Sequence, residues 1–207
     1  MLWFILWLLS TIVNTLLIIT IVDVVLMGAF ALRFSGKCSA LSFVITKENR
    51  IDMQKENECA GYAAAYILRH YDMAANGEEI YKKIPNKMAD GYVYPKEIKS
   101  VLEGYGFSVK YCAGSLNTLK NEVSKGNPVI VFIKVKEDKS WLHYVPVVGY
   151  DEKQIFLAES LTELVNCDER LYNRRIKNEE FERLWNTSML KMPLYTHTFF
   201  VVERKSL

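Results

Sequence analysis

The chain has 207 residues, half of them hydrophobic, with 26 Lys and Arg against 24 Asp and Glu and a net charge of +2. A nucleic-acid binder carries a basic excess or a basic stripe; here lysine and glutamate are mixed along the chain, as on a solvated surface, which argues against nucleic acid as a partner. The four cysteines, Cys38, Cys59, Cys112 and Cys167, are too few and too scattered for a disulfide framework, in keeping with a reducing compartment.

Leu2 to Leu32 is almost wholly apolar, interrupted by Ser10, Thr11, Asn14, Thr15, Thr20 and Asp23. Crossing a bilayer takes about 20 apolar residues in a helix, so residues 1–33 are expected to form a transmembrane anchor. Ala29-Phe30-Ala31 has the small-x-small form that signal peptidases cut, but no Lys or Arg precedes the run. The run also exceeds the usual signal-peptide core of about 7–15 residues. A retained anchor is therefore the preferred reading. Asp23 is costly at the bilayer centre and is expected near one interface. Arg33, Lys37, Lys47 and Arg50 all follow the segment. The positive-inside bias then predicts a single-pass protein of the cell membrane with a cytoplasmic domain.

Residues 34–50 read as a linker, polar around a short apolar patch from Ala40 to Ile45. Residues 51–207 suit one domain large enough to bury a core without staples. Within it Cys59 to Tyr71 is rich in alanine and reads as a buried helix. Glu78 to Ile84 is a shorter helix. Pro95 opens an amphipathic one, with Ile98, Val101, Leu102 and Tyr105 at helical spacing. Leu116, Leu119 and Val123 mark another, stopped by Gly126 and Pro128. The period then changes. Phe107 to Cys112, Pro128 to Val135, Leu142 to Tyr150, Ile155 to Glu159 and His197 to Val202 are short β-rich segments bounded by turn residues. A last helix spans Asn178 to Trp185. Helices first and strands later, without strict alternation, predict an α+β fold.

The chemistry centres on Cys59. It opens the predicted helix, where unpaired N–H groups and the dipole favour thiolate over thiol; Glu56 and Glu58 oppose this. The competing reading is a small buried hydrophobe. A thiolate nucleophile needs a partner that orients it and later protonates the leaving amine, and histidine suits that role. His70 lies about 16 Å along the same helix at 1.5 Å per residue and cannot reach the sulfur. His197 begins the last strand and reads as structural. His143 opens a buried strand, His143-Tyr144-Val145-Pro146-Val147-Val148-Gly149-Tyr150, whose mouth can face a helix end. Glu159 ends the next strand, level with the start of the preceding one, and is the geometric candidate to fix the imidazole tautomer. Asn166 is a possible substitute, and Asp151 reads as a turn former. Gln54 can donate an amide N–H to an oxyanion.

Gln54 through Tyr71, together with His143 to Asp151 and the strand to Glu159, resembles the bacteriocin-processing cysteine peptidases, family thirty-nine of that class, and their stand-alone relatives. The likeness covers most of Gln54 to Trp185. It implies a papain-like domain with Cys59 as nucleophile, His143 as general base, Glu159 as the orienting carboxylate and Gln54 in the oxyanion hole. The implied partner is a peptide or protein substrate, cut without a cofactor, as in leader-peptide processing. Three positions depart from the pattern. Ala60 stands where the family usually has glycine, Met53 where its glutamine usually falls, and Glu159 in place of aspartate. The alternative is a papain-like domain that binds a precursor peptide without cutting it. No Cys or His pair has close metal-ligand spacing, and there is no G-x-S-x-G and no Gly-rich phosphate loop. Hydrolysis and acyl transfer use the same dyad, and the sequence leaves both open.

Overall fold

A computed structural model describes residues 1–25, 31–188 and 194–205. The chain runs α1 (Leu2–Val25), β1 (Leu32–Arg33), β2 (Phe43–Val44), α2 (Cys59–His70), α3 (Gly77–Lys83), α4 (Pro95–Gly104), β3 (Phe107–Ala113), α5 (Leu116–Val123), β4 (Val129–Lys134), β5 (Leu142–Tyr150), β6 (Gln154–Leu157), β7 (Arg174–Lys177), α6 (Asn178–Trp185) and β8 (Thr198–Arg204). The fold is α+β, with the apolar helix α1 at the amino terminus. Residues 26–30, which include Ala29 and Phe30 of the small-x-small sequence, lie outside the described residues.

The strands form one sheet in the order β1-β3-β8-β4-β5-β6-β7, with β2 added onto β5. Every pairing is antiparallel except β1 with β3. Both faces of the sheet are covered. On one, α2, α3 and α4 pack against Phe107, Val109, Ile130, Phe132, Tyr144 and Phe200. On the other, α5 and α6 pack against Val129, Val131, Ile133, Val145, Val147 and Phe199. Alternate residues of β4 thus serve opposite cores, which is why that strand is apolar throughout.

The helix bounds follow sequence signals. Pro95 sits in the first turn of α4, Ser115 caps α5 by accepting from Thr118 N, and Asn76 caps α3 by accepting from Glu79 N. Three strands were not expected. β1 and β2 have two residues each, too short to show a period, and β7 reads Arg-Arg-Ile-Lys. The stretch expected as a linker, 34–50, crosses the sheet and supplies β2, with Phe43 opposite Tyr150. β8 starts one residue later than expected, because His197 adopts a positive φ of 54°.

Helix α2 owes its position to small side chains. Ala60, Ala63, Ala64 and Ala65 are buried beneath it. A Cβ at Gly61 would stand against the Gly77 carbonyl oxygen and 2.7 Å from Tyr81 N, so glycine alone lets α2 and α3 approach this closely. Gly61→Ala is expected to cost roughly 1–3 kcal/mol through overpacking. A urea midpoint equal to that of the wild type would contradict this account of the contact.

Candidate active site

Cys59 is the first residue of α2 and is 7% exposed. The turn before it is held by Gly61 N and Tyr62 N, which donate to the Glu58 carbonyl at 2.9 and 3.2 Å. Asn57 Nδ2 donates to the Asp90 carbonyl at 3.0 Å, tying the loop ahead of α4 to the start of α2. His143 is the second residue of β5, 1% exposed. Its register opposite Ile133 holds it at the end of the sheet. On one side of its ring stands the Cys59 thiol, which helps to raise the His143 pKa, and on the other Nε2 donates to Glu159 Oε1 at 2.7 Å. Nε2 being engaged by the carboxylate, Nδ1 is the nitrogen left for the sulfur.

Glu159 follows β6 and is wholly buried. Oε1 accepts from His143 Nε2 and from Leu161 N at 2.8 Å, and Oε2 accepts from Arg174 Nη1 at 2.8 Å. The extra methylene relative to aspartate is thus accommodated, and the carboxylate reaches the imidazole directly. The backbone is clamped as well. Glu159 N donates to Asn173 Oδ1 at 2.7 Å, and Asn173 Nδ2 donates to the Glu159 carbonyl at 2.8 Å.

Gln54 lies on the loop before α2 and is fastened to the residue after Glu159. Its backbone N–H donates to the Ser160 carbonyl at 2.9 Å, and its side-chain oxygen accepts from Ser160 Oγ at 2.7 Å. Its Nε2 donates to the Glu56 carbonyl. The structure therefore brings Cys59, His143 and Glu159 into one line and sets Gln54 beside it, its amide turned into its own loop. The other candidates fall elsewhere. Asn166 bonds the backbone of Arg175 through both side-chain atoms. Asp151 accepts from Lys153 N and Gln154 N, as a turn former does. His70 ends α2, and His197 rests on the Trp185 ring at 5.1 Å beside Glu182.

Sequence reasoning did not single out Arg174, Asn173 or Ser160. Arg174 sits in a basic doublet that reads as solvated surface. The usable signal is the alternation of β7, where Arg174 and Ile176 are buried and Arg175 and Lys177 exposed.

The electrostatics follow from these contacts. Burial alone would lower the His143 pKa. The Glu159 charge and the hydrogen bonds to Cys59 and Glu159 outweigh it and push the value up to about 10, favouring imidazolium. Burial would raise the Glu159 pKa, but His143, Arg174 and the Leu161 N–H bring it down to about 2.

A family model described as the Peptidase_C39 like family matches residues 45–189. The chain belongs to that family. Among solved structures, it is similar to the peptidase domain of Streptococcus ComA, a bi-functional ABC transporter involved in a quorum-sensing pathway. That match has a TM-score of 0.57 and 16% identity, covering 74% of this chain and 97% of the other. It is also similar to a Bacillus anthracis protein described as a C39-like peptidase (TM-score 0.56, 16% identity, coverage 80% and 99%). A third match is a double glycine motif protease from an AMS/PCAT transporter, solved in complex with the leader peptide. Its TM-score is 0.54 and its identity 16%, with coverage of 78% and 95%. Comparison with curated proteins gives no match. At such identity the structural likenesses carry the fold alone, and that fold is the α+β fold of C39 peptidase domains.

The pKa shifts fix a stability profile. The His143 contribution is full below its ordinary 6.5 and is lost as pH rises through about 10. That of Glu159 is full above its ordinary 4.5 and is lost as pH falls through about 2. Breaking the buried network with Glu159→Gln leaves Arg174 uncompensated and is expected to cost about 3–5 kcal/mol. Urea titrations of both proteins should show the largest gap between pH 4.5 and 6.5, narrowing toward pH 10 and toward pH 2. A gap independent of pH would rule out the charge network as its source.

Proposed function

We propose that this protein is a membrane-anchored cysteine peptidase that hydrolyses peptide bonds through an acyl-enzyme on Cys59, with leader peptides as the substrate class. The observation that carries the reading is the single His143 ring, set between the Cys59 thiol and a buried carboxylate to which it is hydrogen-bonded. An imidazolium beside a thiol stabilises its thiolate. The Cys59 sulfur attacks the scissile carbonyl carbon. The oxyanion that forms is met by the N–H of Cys59 at the head of α2 and by a Gln54 amide proton. A primary amide has two N–H bonds, so donation to Glu56 leaves the second for this role. His143 then gives its proton to the leaving amine as the C–N bond breaks. In the second half, His143 takes a proton from water, hydroxide adds to the thioester and the acid leaves, regenerating the thiol pair. Glu159 holds the imidazole in the tautomer this needs and compensates its charge.

Membrane attachment is the role proposed for α1. Its 24 residues have a mean hydropathy of 2.4 over their most apolar window, and nearly all are exposed. At 1.5 Å per residue it is about 36 Å long, enough for a bilayer core. The basic residues that follow α1 support a cytoplasmic domain, and an export signal is the alternative use of the same helix. The expected division into anchor 1–33, linker 34–50 and domain 51–207 is proposed in functional terms, with β1 and β2 as the points where the first two segments touch the sheet.

A second reading has one observation in its favour. The Gln54 amide nitrogen is bonded to the Glu56 carbonyl, and a domain that only binds a precursor has no need of it elsewhere. Turnover separates the two. Cys59→Ala and His143→Ala are each expected to lower kcat by at least about 10³-fold; Cys59→Ala should leave the melting temperature nearly unchanged, whereas His143→Ala, which strips Glu159 of its imidazole partner, should lower it while the folded protein keeps its circular dichroism. Full activity in either variant would end the assignment.

Alkylation provides a check that needs no substrate. Near pH 6, iodoacetamide should label Cys59 faster than Cys38, Cys112 and Cys167, and His143→Ala should abolish the difference. Cys38 is the competitor to watch. Partial burial raises its thiol pKa, but hydrogen bonds from Tyr150 and Ser124 and the Lys120 charge bring it below the usual value. Cys112 is fully buried and pushed up to about 12. Labelling of Cys59 that does not respond to His143→Ala would show that the pair is not an ion pair.

A further inference from the structure

Beyond residue 25, five large apolar side chains are exposed among the described residues: Leu32, Leu41, Met53, Met88 and Trp141. Three of them stand on segments next to the site residues. Met53 precedes Gln54. Met88 belongs to the loop whose Asp90 carbonyl is held by Asn57, two residues before Cys59. Trp141 ends the connection between β4 and β5, two residues before His143, and is 59% exposed. A fourth, Leu32, lies on β1, the strand that the chain enters on leaving α1. Clustered exposed apolar groups mark an interaction surface, and tryptophan is the side chain best suited to the boundary between lipid and water.

The sheet places these features together. Arg33 pairs with Ala113 at the end of β3, and Ala113 pairs with Thr198 at the start of β8. Next along, β4 pairs with β8 at Val131 and Phe199, and its last residue, Lys134, pairs with Leu142 at the start of β5. The end of β3, the start of β8, the end of β4 and the start of β5 therefore form one edge of the sheet, and His143 is on it. Six residues separate Val25 from Leu32. Fully extended, they allow no more than about 25 Å between the helix end and that edge, in a domain roughly 40 Å across.

The contact is closer than the tether requires. Asp23, in the last turn of α1, is 1% exposed, although its neighbours Ile21 and Val25 are exposed. The Tyr195 hydroxyl is buried as well, and neither it nor the Asp23 carboxylate has a hydrogen-bond partner among the described residues. From Tyr195 the path to the site is short. Its ring lies 5.7 Å from that of Phe132, which stacks at 4.3 Å on Tyr144, the neighbour of His143. A carboxylate is costly in hydrocarbon, so Asp23 marks the level at which the helix leaves the bilayer.

We propose that the sheet edge bearing His143 rests on the surface of the bilayer that holds α1. Trp141 is seated among the headgroups, with Met53 and Met88 along the same rim. The cleft then receives a peptide segment lying at that surface, so the substrate is a membrane-associated precursor. This rests on α1 being an anchor. The competing occupant of the apolar rim is the substrate peptide itself.

The test uses the full chain in phosphatidylcholine nanodiscs made with and without brominated acyl chains, comparing wild type with Trp141→Phe. The tryptophan emission that this substitution removes should be blue-shifted from that of an indole in water and roughly halved by bromine. Trp3→Phe/Trp7→Phe gives the signal of the anchor separately. Quenching of Trp3 and Trp7 with a Trp141 signal indifferent to bromine overturns the proposal and leaves the anchor standing. Absence of quenching at all three positions overturns both. A Trp141 signal that ignores bromine but shifts when a soluble leader peptide is added assigns the rim to the peptide and also overturns it.

Discussion

The Glu159 carboxylate is the group on which the rest of the site depends. It is fully buried, and an ion removed from water loses several kcal/mol of hydration unless its lone pairs are met. They are met from three directions: by the imidazole at the start of β5, by the Leu161 N–H just ahead, and by the Arg174 guanidinium on β7. Each donor comes from a different segment, so the charge is compensated only when β5, β6 and β7 are in register. A slip of one residue in β7 would turn Arg174 outward and bring Arg175 inward with the wrong geometry. The register of the sheet and the integrity of the site are therefore one condition. Asn173 reinforces it by bonding the backbone of Glu159 through both of its side-chain atoms.

The sulfur reaches this network from the opposite direction, on a helix defined by what it lacks. Alanines and Gly61 line α2, and without bulky side chains the helix can lie close to the sheet and to α3. The result is a cysteine at the head of the helix and a histidine at the mouth of a strand, brought together by two rigid elements rather than by a loop. Loops complete the surroundings. The Gln54 loop is fastened to Ser160, next to Glu159, so the segment ahead of Cys59 and the segment after the carboxylate are tied together by two hydrogen bonds. Such coupling keeps the proposed oxyanion donor at a fixed level relative to the imidazole, even though the amide itself is turned toward Glu56.

How much of this was legible in the sequence depended on whether a residue's neighbours shared its environment. α2, α4, α5 and α6 carry long or strongly patterned apolar faces, and β5 is apolar along nearly its whole length, so their bounds could be read closely. The pairing of His143 with Glu159 was legible because the hairpin between β5 and β6 is local, and its length sets which residues end up level. Arg174 was not, since one buried arginine inside Arg-Arg-Ile-Lys looks like solvated charge until the strand pairing is known. β1 and β2 were equally hidden. A strand of two residues has no period, and its place comes from a tether and an edge that exist only in the folded sheet. The Gln54 amide is set by a loop hydrogen bond to a carbonyl, a choice of rotamer that no spacing encodes.

The same tether bears on what the site can act on. A peptidase free in solution finds its peptide by three-dimensional diffusion, whereas one held at a surface meets a surface-bound peptide at a raised effective concentration. That gain exists only if the cleft can reach the surface, and a rigid domain about 40 Å across could as easily carry its cleft on the far side. In this chain the nearest alternative orientation is opposed by two contacts: Asp23 buried at the foot of α1, and β1 hydrogen-bonded to the end of β3. Together they set the end of β3 and the start of β8 toward the helix end, the same end of the sheet at which His143 stands near the start of β5. The buried carboxylate at 159 sets the electrostatics of the imidazole, and under the proposed anchoring the buried carboxylate at 23 would set the direction from which a peptide reaches it.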